Sequence, residues 1–158
     1  MNELSEHEYD LVVVGAGPAG SSAAYAAAKN GIKVALLEKE ESVAQTVRTS
    51  GVTWIDYAKE FGIPEDCYNP VRTYNFCSPK NNVSISDEQA KAAVLDVRKT
   101  YRFLADQAKK NGAEIFVNTN VTEVITEDGK VVGVKASLSN EEIIFRAKMV
   151  IDLSLIHI

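Results

Sequence analysis

The stretch Tyr9-Asp10-Leu11-Val12-Val13-Val14-Gly15-Ala16-Gly17-Pro18-Ala19-Gly20 decides how the rest of this chain is read. Leu11 to Val14 is a short, charge-free and mostly β-branched run, the composition of a strand buried on both faces of a parallel sheet. The three glycines that follow have separate expected jobs. Gly15 lets the chain turn tightly off the strand. Gly17 lets a diphosphate approach the backbone with no Cβ in the way, and Gly20 lets the next helix pack close to the strand. Pro18 suits a first helical turn, where no amide donor is required. Ala16 and Ala19 complete the loop and are counted with the glycines and Pro18 as candidate cofactor contacts.

Working outward, a helix that begins here points its unpaired N–H groups and positive dipole end at the phosphates. Ala23, Ala24, Ala27 and Ala28 keep its buried face thin, and Asn30-Gly31 supplies a left-handed stop. A second strand, Lys33 to Leu37, ends at Glu38, eighteen residues beyond Gly20. A carboxylate at that place accepts hydrogen bonds from the adenosine ribose hydroxyls. It also repels a 2′-phosphate, which argues against NADP and leaves FAD or NAD. Glu38 and the adjoining Lys39 are therefore candidate cofactor residues. Strand, glycines, alanine helix, stop and terminal acid fall in register within about thirty residues, as a dinucleotide-binding βαβ unit requires.

Composition sets the outer limits. A chain of 158 residues, 46% hydrophobic and 25% charged, can build one substantial core. Its net charge of −5 is not that of a nucleic-acid-binding protein. Cys67 and Cys77 lie ten positions apart with no His or second Cys pair nearby, which suits reduced cytosolic thiols rather than zinc. The uncharged run from Leu11 to Ala28 is broken by its Gly-Ala-Gly-Pro-Ala-Gly centre, so no transmembrane segment is expected. The residues before it are acidic rather than basic, unlike a signal peptide. A cytoplasmic location follows, with peripheral membrane attachment of a longer protein left open. Asp87, Glu88, Glu141 and Glu142 lack metal-ligand spacing and read as solvated faces. Neither histidine stands in a catalytic constellation, and Tyr57, Tyr68, Tyr74 and Phe76 read as packing residues.

Beyond Glu38, residues 40–51 are polar and aperiodic, ending in Arg48-Thr49-Ser50-Gly51, and read as a loop. Thr53, with Asp56 three positions on, suggests a capped helix through about Phe61, stopped by Gly62-Ile63-Pro64. Val71 to Cys77 and Asn82 to Ser86 suggest a strand pair, and Ala93 to Asp96 a brief strand. Arg98 opens a helix with Tyr101, Leu104, Ala105 and Ala108 at the 3.6-residue period, ending at Asn111-Gly112. Glu114 to Val117 is the expected third parallel strand. Val121 to Thr126, Val131 to Ser137 and Glu142 to Ala147 then form an antiparallel three-stranded meander, turned at Asp128-Gly129 and inserted before a final parallel strand, Met149 to Asp152.

This order resembles the FAD-binding domain of the glutathione-reductase structural class: an α/β, Rossmann-like domain with a parallel sheet, flanking helices and a β-meander. More narrowly, the fingerprint at 9–38 and the segment Val94-Leu-Asp-Val-Arg-Lys-Thr-Tyr-Arg-Phe-Leu-Ala-Asp-Gln-Ala108 with Asn111-Gly-Ala-Glu-Ile115 resemble the geranylgeranyl reductase family of flavoproteins. The resemblance implies FAD as cofactor, with Arg98 reaching the flavin nucleotide and the backbone of Val121 meeting the adenine. Arg48, Thr49 and Gly51 stand where prenyl reductases often carry Arg-Cys-Gly, so any role of a cysteine there is absent. Arg48 can still bind the flavin by charge-assisted hydrogen bonds.

The same resemblance implies that residues 1–152 are the N-terminal part of the FAD-binding domain. A later Gly-Asp segment and the sheet that covers the flavin ring would lie outside this chain, which alone would be inactive. Residues 153–158, Leu-Ser-Leu-Ile-His-Ile, match a reading frame through a transposase end sequence used in DNA library preparation and are read as a non-native tail. The implied activity is reduction of prenyl alkenes by flavin hydride, with electrons from NAD(P)H or a ferredoxin-like donor and a hydrophobic small-molecule substrate. A flavin monooxygenase or halogenase shares this domain. A non-catalytic nucleotide-binding fragment is the reading from a different class.

Overall fold

The computed structural model describes residues 5–139 and 141–154. The chain divides into two compact units. The first is built from the chain up to Thr46 and from Tyr101 onward, and the second is Val47–Thr100.

In the first unit, β1 (Ser5–Val14) runs into α1 (Pro18–Lys29) and β2 (Val34–Leu37). After α3 (Val97–Lys110), which starts in the second unit, come β8 (Glu114–Phe116), β9 (Thr119–Glu127), β10 (Lys130–Leu138) and β11 (Glu141–Asp152). These strands make one six-stranded sheet in the order β8-β2-β1-β11-β10-β9. The first four are mutually parallel, and β10 is antiparallel to both β11 and β9. The fold class read from the sequence is therefore the observed one: an α/β domain with a parallel sheet, flanking helices and a three-stranded meander.

Alternation along β1 sorts its side chains onto two faces of the sheet. Leu11 and Val13 join Val34 and Leu36 against Ala24 and Ala28 of α1 and Ala105 and Ala108 of α3. The alanines let both helices lie close to the strands. Val12 and Val14 face the other way, with Ala35, Leu37, Val134, Ala136 and Phe145; Tyr9 joins them because the alternation slips at Asp10, where Asp10 and Leu11 N–H both donate to the Lys33 carbonyl. Phe145 is fully buried, with the Phe116 ring edge-on at 5.0 Å and His7 stacked at 5.6 Å. His7 is thus an aromatic packing partner rather than a site residue. Burial and the Glu114 carboxylate, which accepts the Tyr9 hydroxyl at 2.8 Å, push that phenol above its usual range and keep it a neutral donor.

One boundary differs from the sequence expectation. The third meander strand and the final parallel strand are a single twelve-residue strand, β11, and the meander is not a separate insertion. Glu141 to Arg146 pair with β10 on one edge while Ile143 to Asp152 pair with β1 on the other. Changing from an antiparallel to a parallel neighbour needs no break, because the two partners use opposite edges of the strand. The Asp128-Gly129 turn is as expected, with φ of 50° and 75°, the left-handed pair that a two-residue hairpin turn requires.

The second unit holds a three-stranded antiparallel sheet of β3 (Val52–Trp54), β7 (Ala92–Leu95) and β4 (Tyr68–Val71), and a hairpin of β5 (Thr73–Cys77) and β6 (Asn82–Ser86). Tyr74 joins the two: its hydroxyl accepts from Ala92 N–H at 3.2 Å and donates to the Val71 carbonyl at 3.3 Å. Thr53 does not cap a helix. It lies in β3 opposite Ala93, and α2 (Ile55–Glu60) starts after Trp54 with no side-chain cap. Tyr57 and Phe76 are exposed rather than packed.

Met1 to Leu4, Asn140 and Leu155 to Ile158 lie outside the described residues, so the reading of 153–158 as a tail falls mostly there, as does His157. Leu153 donates its N–H to the Val14 carbonyl at 2.9 Å and packs on the helix-side core. Among the described residues no helix is long and apolar enough to cross a membrane.

Replacing Phe145 by Ala should cost about 3–5 kcal/mol of unfolding free energy, the range for an aromatic side chain deleted from a closed core. Chemical denaturation of the two proteins would measure it, and a loss below about 1 kcal/mol would mean that this cluster does not hold the sheet together.

Candidate functional site

The glycine-rich loop leaves β1 at Gly15, whose φ of +96° is the tight left-handed turn expected of it. Its N–H donates to the Leu37 carbonyl at 2.7 Å, which fixes the loop to the end of β2. Gly20 has no room for a side chain. A Cβ there would stand 1.8 Å from the Gly15 carbonyl oxygen, so the helix-to-strand contact depends on its absence. Gly17 is the opposite case, with nothing within 4 Å of the place a Cβ would occupy. It is the N-cap of α1, with Pro18 next to it.

The N-terminus of α1 has no side-chain cap and no acidic residue in its first turn. Its first-turn amides and the dipole therefore face outward uncompensated, beside a glycine with open space around it. That combination fits a diphosphate, which supplies acceptors and negative charge together.

Glu38 sits at the end of β2, half-buried. Its Oε2 accepts from Ala16 N–H at 2.9 Å and its Oε1 from Glu40 N–H at 3.0 Å. A carboxylate has about four acceptor directions, so two bonds leave capacity for ribose hydroxyls. The backbone of Glu38 is also tied down: its N–H donates to the Phe116 carbonyl at 2.8 Å, and its carbonyl accepts from Thr119 N–H at 2.8 Å. Asn118 N–H donates to the Glu40 carbonyl at 2.7 Å. These contacts bring the start of β9, and hence Val121 two residues after Thr119, to the end of β2. Gly15 to Gly20, Glu38, Lys39 and the start of β9 are thus gathered at the C-terminal end of the parallel strands, where open α/β sheets bind ligands. Lys39 is exposed.

Arg48, Thr49, Gly51 and Arg98 belong to the second unit. There Gly51, with φ +73°, packs against the start of α3: a Cβ on it would be 2.7 Å from Val97 Cγ2. Its carbonyl accepts from Leu95 N–H at 2.9 Å, and Thr49 Oγ1 accepts from Gly51 N–H at 3.3 Å. Asp96 caps α3 through Lys99 N–H at 3.0 Å. The Arg48–Gly51 loop and Arg98 are therefore neighbours through Gly51 and Val97, with both arginines exposed. Lys99 reaches back to Asp66 at 2.6 Å. Burial raises the pKa of the Cys67 thiol, and the neighbouring Asp66 carboxylate adds to the shift, so it stays protonated and inert.

Sequence reasoning missed two features. Ser21, fully buried on α1, donates its hydroxyl to the Ala16 carbonyl at 3.3 Å. Glu38 also grips the loop itself. The only signal for Ser21 was a polar residue at a helix position whose neighbours one turn on are core alanines.

The sequence profile of the FAD dependent oxidoreductases matches residues 10–154. The chain belongs to that family. FAD is accordingly its cofactor. Among its relatives, a digeranylgeranylglycerophospholipid reductase of Methanocaldococcus jannaschii is 36% identical over 155 residues, covering 96% of this chain and 39% of that protein. A crystal structure of a geranylgeranyl bacteriochlorophyll reductase-like protein from Thermoplasma acidophilum matches with TM-score 0.83 and 34% identity, over 94% of this chain and 39% of that one. A flavin-dependent brominase is more distant, at TM-score 0.73 and 26% identity, over 93% of this chain and 38% of that one. Among the FAD dependent oxidoreductases the chain is thus similar to geranylgeranyl-type reductases. It spans less than two-fifths of the length of the reductases it matches.

Gly17 and Gly20 should separate cofactor recognition from folding. Gly17→Ala is expected to leave thermal unfolding unchanged within a degree or two yet weaken FAD binding at least about tenfold, because its methyl enters only the open side of the loop. Gly20→Ala should instead lower stability by about 1–3 kcal/mol through overpacking. Melting curves and flavin-fluorescence titrations of the two variants check both; equal melting losses would contradict the assignment.

Proposed function

We propose that this chain is the cofactor-holding part of an FAD-dependent reductase that saturates alkene bonds of a prenyl lipid. The observation that carries the reading is the 36% identity with a digeranylgeranylglycerophospholipid reductase across 96% of this chain. In this reading the diphosphate of FAD lies on Gly15, Ala16, Gly17, Pro18, Ala19 and Gly20, and Glu38 accepts the adenosine ribose hydroxyls, with Lys39 beside it. The backbone of Val121 meets the adenine. Arg48, Thr49, Gly51 and Arg98 serve the flavin side of the nucleotide, the arginines through charge-assisted hydrogen bonds.

Held by the glycine loop and Glu38, FAD would supply the hydride chemistry that reduction of an alkene requires. What this chain contributes is position: the loop and Glu38 fix the nucleotide, and no residue here is assigned to the reacting carbons. Electrons come from NAD(P)H or a ferredoxin-like donor, and the substrate is a hydrophobic small molecule. The protein acts in the cytoplasm, at membrane surfaces where such lipids are reached, and nucleic acid is not a partner. The 158-residue chain alone is expected to hold FAD without turnover.

The test uses a full-length protein that carries this segment. Its flavin is reduced anaerobically and mixed with a geranylgeranylated glycerophospholipid. Reoxidation of the flavin, with saturated prenyl chains in the lipid by mass spectrometry, is the expected result. A flavin that stays reduced until dioxygen is admitted, giving hydroxylated product or, with halide present, halogenated product, would replace the reductase reading with the monooxygenase or halogenase one.

A further inference from the structure

The Ala16 residue is gripped from both sides. Its N–H donates to Glu38 Oε2 at 2.9 Å, and its carbonyl accepts the Ser21 hydroxyl at 3.3 Å. Ala16 itself is 1% exposed and Ser21 is fully buried. A hydroxyl in that place is at odds with the packing around it. Ala24 and Ala28 line the same buried face of α1, and a methyl at position 21 would pack as well without the cost of desolvating an O–H. The backbone N–H of Ser21 is already used in the helix, donating to the Gly17 carbonyl at 2.9 Å.

The consequence lies in the peptide that joins Ala16 to Gly17. A trans peptide is planar, and its C=O and N–H point in opposite directions. Drawing the Ala16 carbonyl inward to Ser21 therefore turns the Gly17 N–H outward, to the side where nothing lies within 4 Å of the Gly17 Cβ position. Glu38 holds the preceding peptide by its N–H, so the two side chains together set both backbone torsions of Ala16. We infer that Ser21 is a positioning residue for the cofactor loop, aiming the Gly17 amide at the diphosphate of FAD in concert with Glu38. This rests on the reading of the loop as the FAD diphosphate cradle.

The experiment is FAD titration of the full chain, by flavin fluorescence, for the unmodified protein, Ser21→Ala, Ser21→Thr, Glu38→Ala and the Ser21→Ala/Glu38→Ala pair, with a melting curve for each. Ser21→Ala is nearly isosteric and is expected to melt within a few degrees of the unmodified protein while its Kd for FAD rises about tenfold, the worth of one aimed hydrogen bond. Ser21→Thr keeps the hydroxyl and should restore most of that loss. In the Glu38→Ala background the Ser21→Ala effect should shrink to about twofold, because a peptide released at one end gains little from being held at the other. Amide hydrogen exchange in the ligand-free chain should be faster at Ala16 and Gly17 in Ser21→Ala.

Saturable FAD binding by the unmodified chain with an unchanged Kd in Ser21→Ala would overturn the inference and leave the cradle reading standing. A lower melting temperature with the same Kd, a Thr variant as weak as the Ala one, or strictly additive effects in the pair would overturn it equally. No saturable binding by the unmodified folded chain would remove the cradle reading, and the inference with it.

Discussion

A backbone-to-backbone contact organises the cofactor end of this protein. The first turn of α1 lies so close to the Gly15 carbonyl that position 20 admits no β-carbon. From that approach the rest follows. The helix is held against β1 by alanines at 24 and 28, its N-terminus is presented at the C-terminal end of the parallel strands, and its uncapped amides meet whatever occupies the space beside Gly17. A larger residue at 20 would lift the helix away from the strand and move its first turn relative to Glu38, whose backbone is tied separately to Phe116 and the start of β9. The glycine loop and the Glu38 carboxylate are thus placed by different strands, and the bond from Ala16 N–H to Glu38 is what brings them into one arrangement.

The sheet beneath this site owes its continuity to β11. A twelve-residue strand without glycine or proline serves two neighbours at once, so the meander is an extension of the parallel sheet. Gly133 makes the shared edge possible on the β10 side: with φ of +157° its hydrogen faces the Phe145 carbonyl, where a Cβ would come within 2.3 Å. Ion pairs reinforce the same seam. Arg146 meets Glu6 at 2.6 Å and Glu127 at 2.5 Å, while Lys148 meets Asp10 at 2.7 Å. Each is at the surface and worth little alone. The Glu6 and Asp10 pairs tie β1 to β11 on either side of Tyr9, and the Glu127 pair ties β9 to β11.

Much of this was legible in the sequence because it is carried by spacing. Glycines at 15, 17 and 20, a stop at Gly31 and an acid at 38 are local constraints, and each residue takes the conformation that its type suggested. The misreadings arose where tertiary pairing outweighed a local signal. Thr53 and Asp56 have capping-box spacing, yet Thr53 pairs with Ala93 because the strand bonds to β7 satisfy more backbone than a cap would. The break expected between Ala147 and Met149 came from treating a change of partner as a change of strand. Ser21 was invisible for another reason: a serine in an alanine-rich helix reads as a surface residue until the orientation of the helix is known. The spacing offered Glu38 a ribose role, but nothing in the positions of residues 16 and 38 foretells that its carboxylate closes the loop.

The two units hold their candidate residues in different ways. In the first, the loop, Glu38 and the start of β9 are tied to one another by backbone hydrogen bonds, so their geometry is set by the fold itself. In the second, Arg48 and Arg98 are exposed and brought near each other through Gly51 and Val97, on a loop and a helix start rather than on a sheet. Groups fixed by sheet hydrogen bonds lose little further freedom when they meet a ligand, whereas an exposed arginine gives up rotamer freedom whenever it engages one.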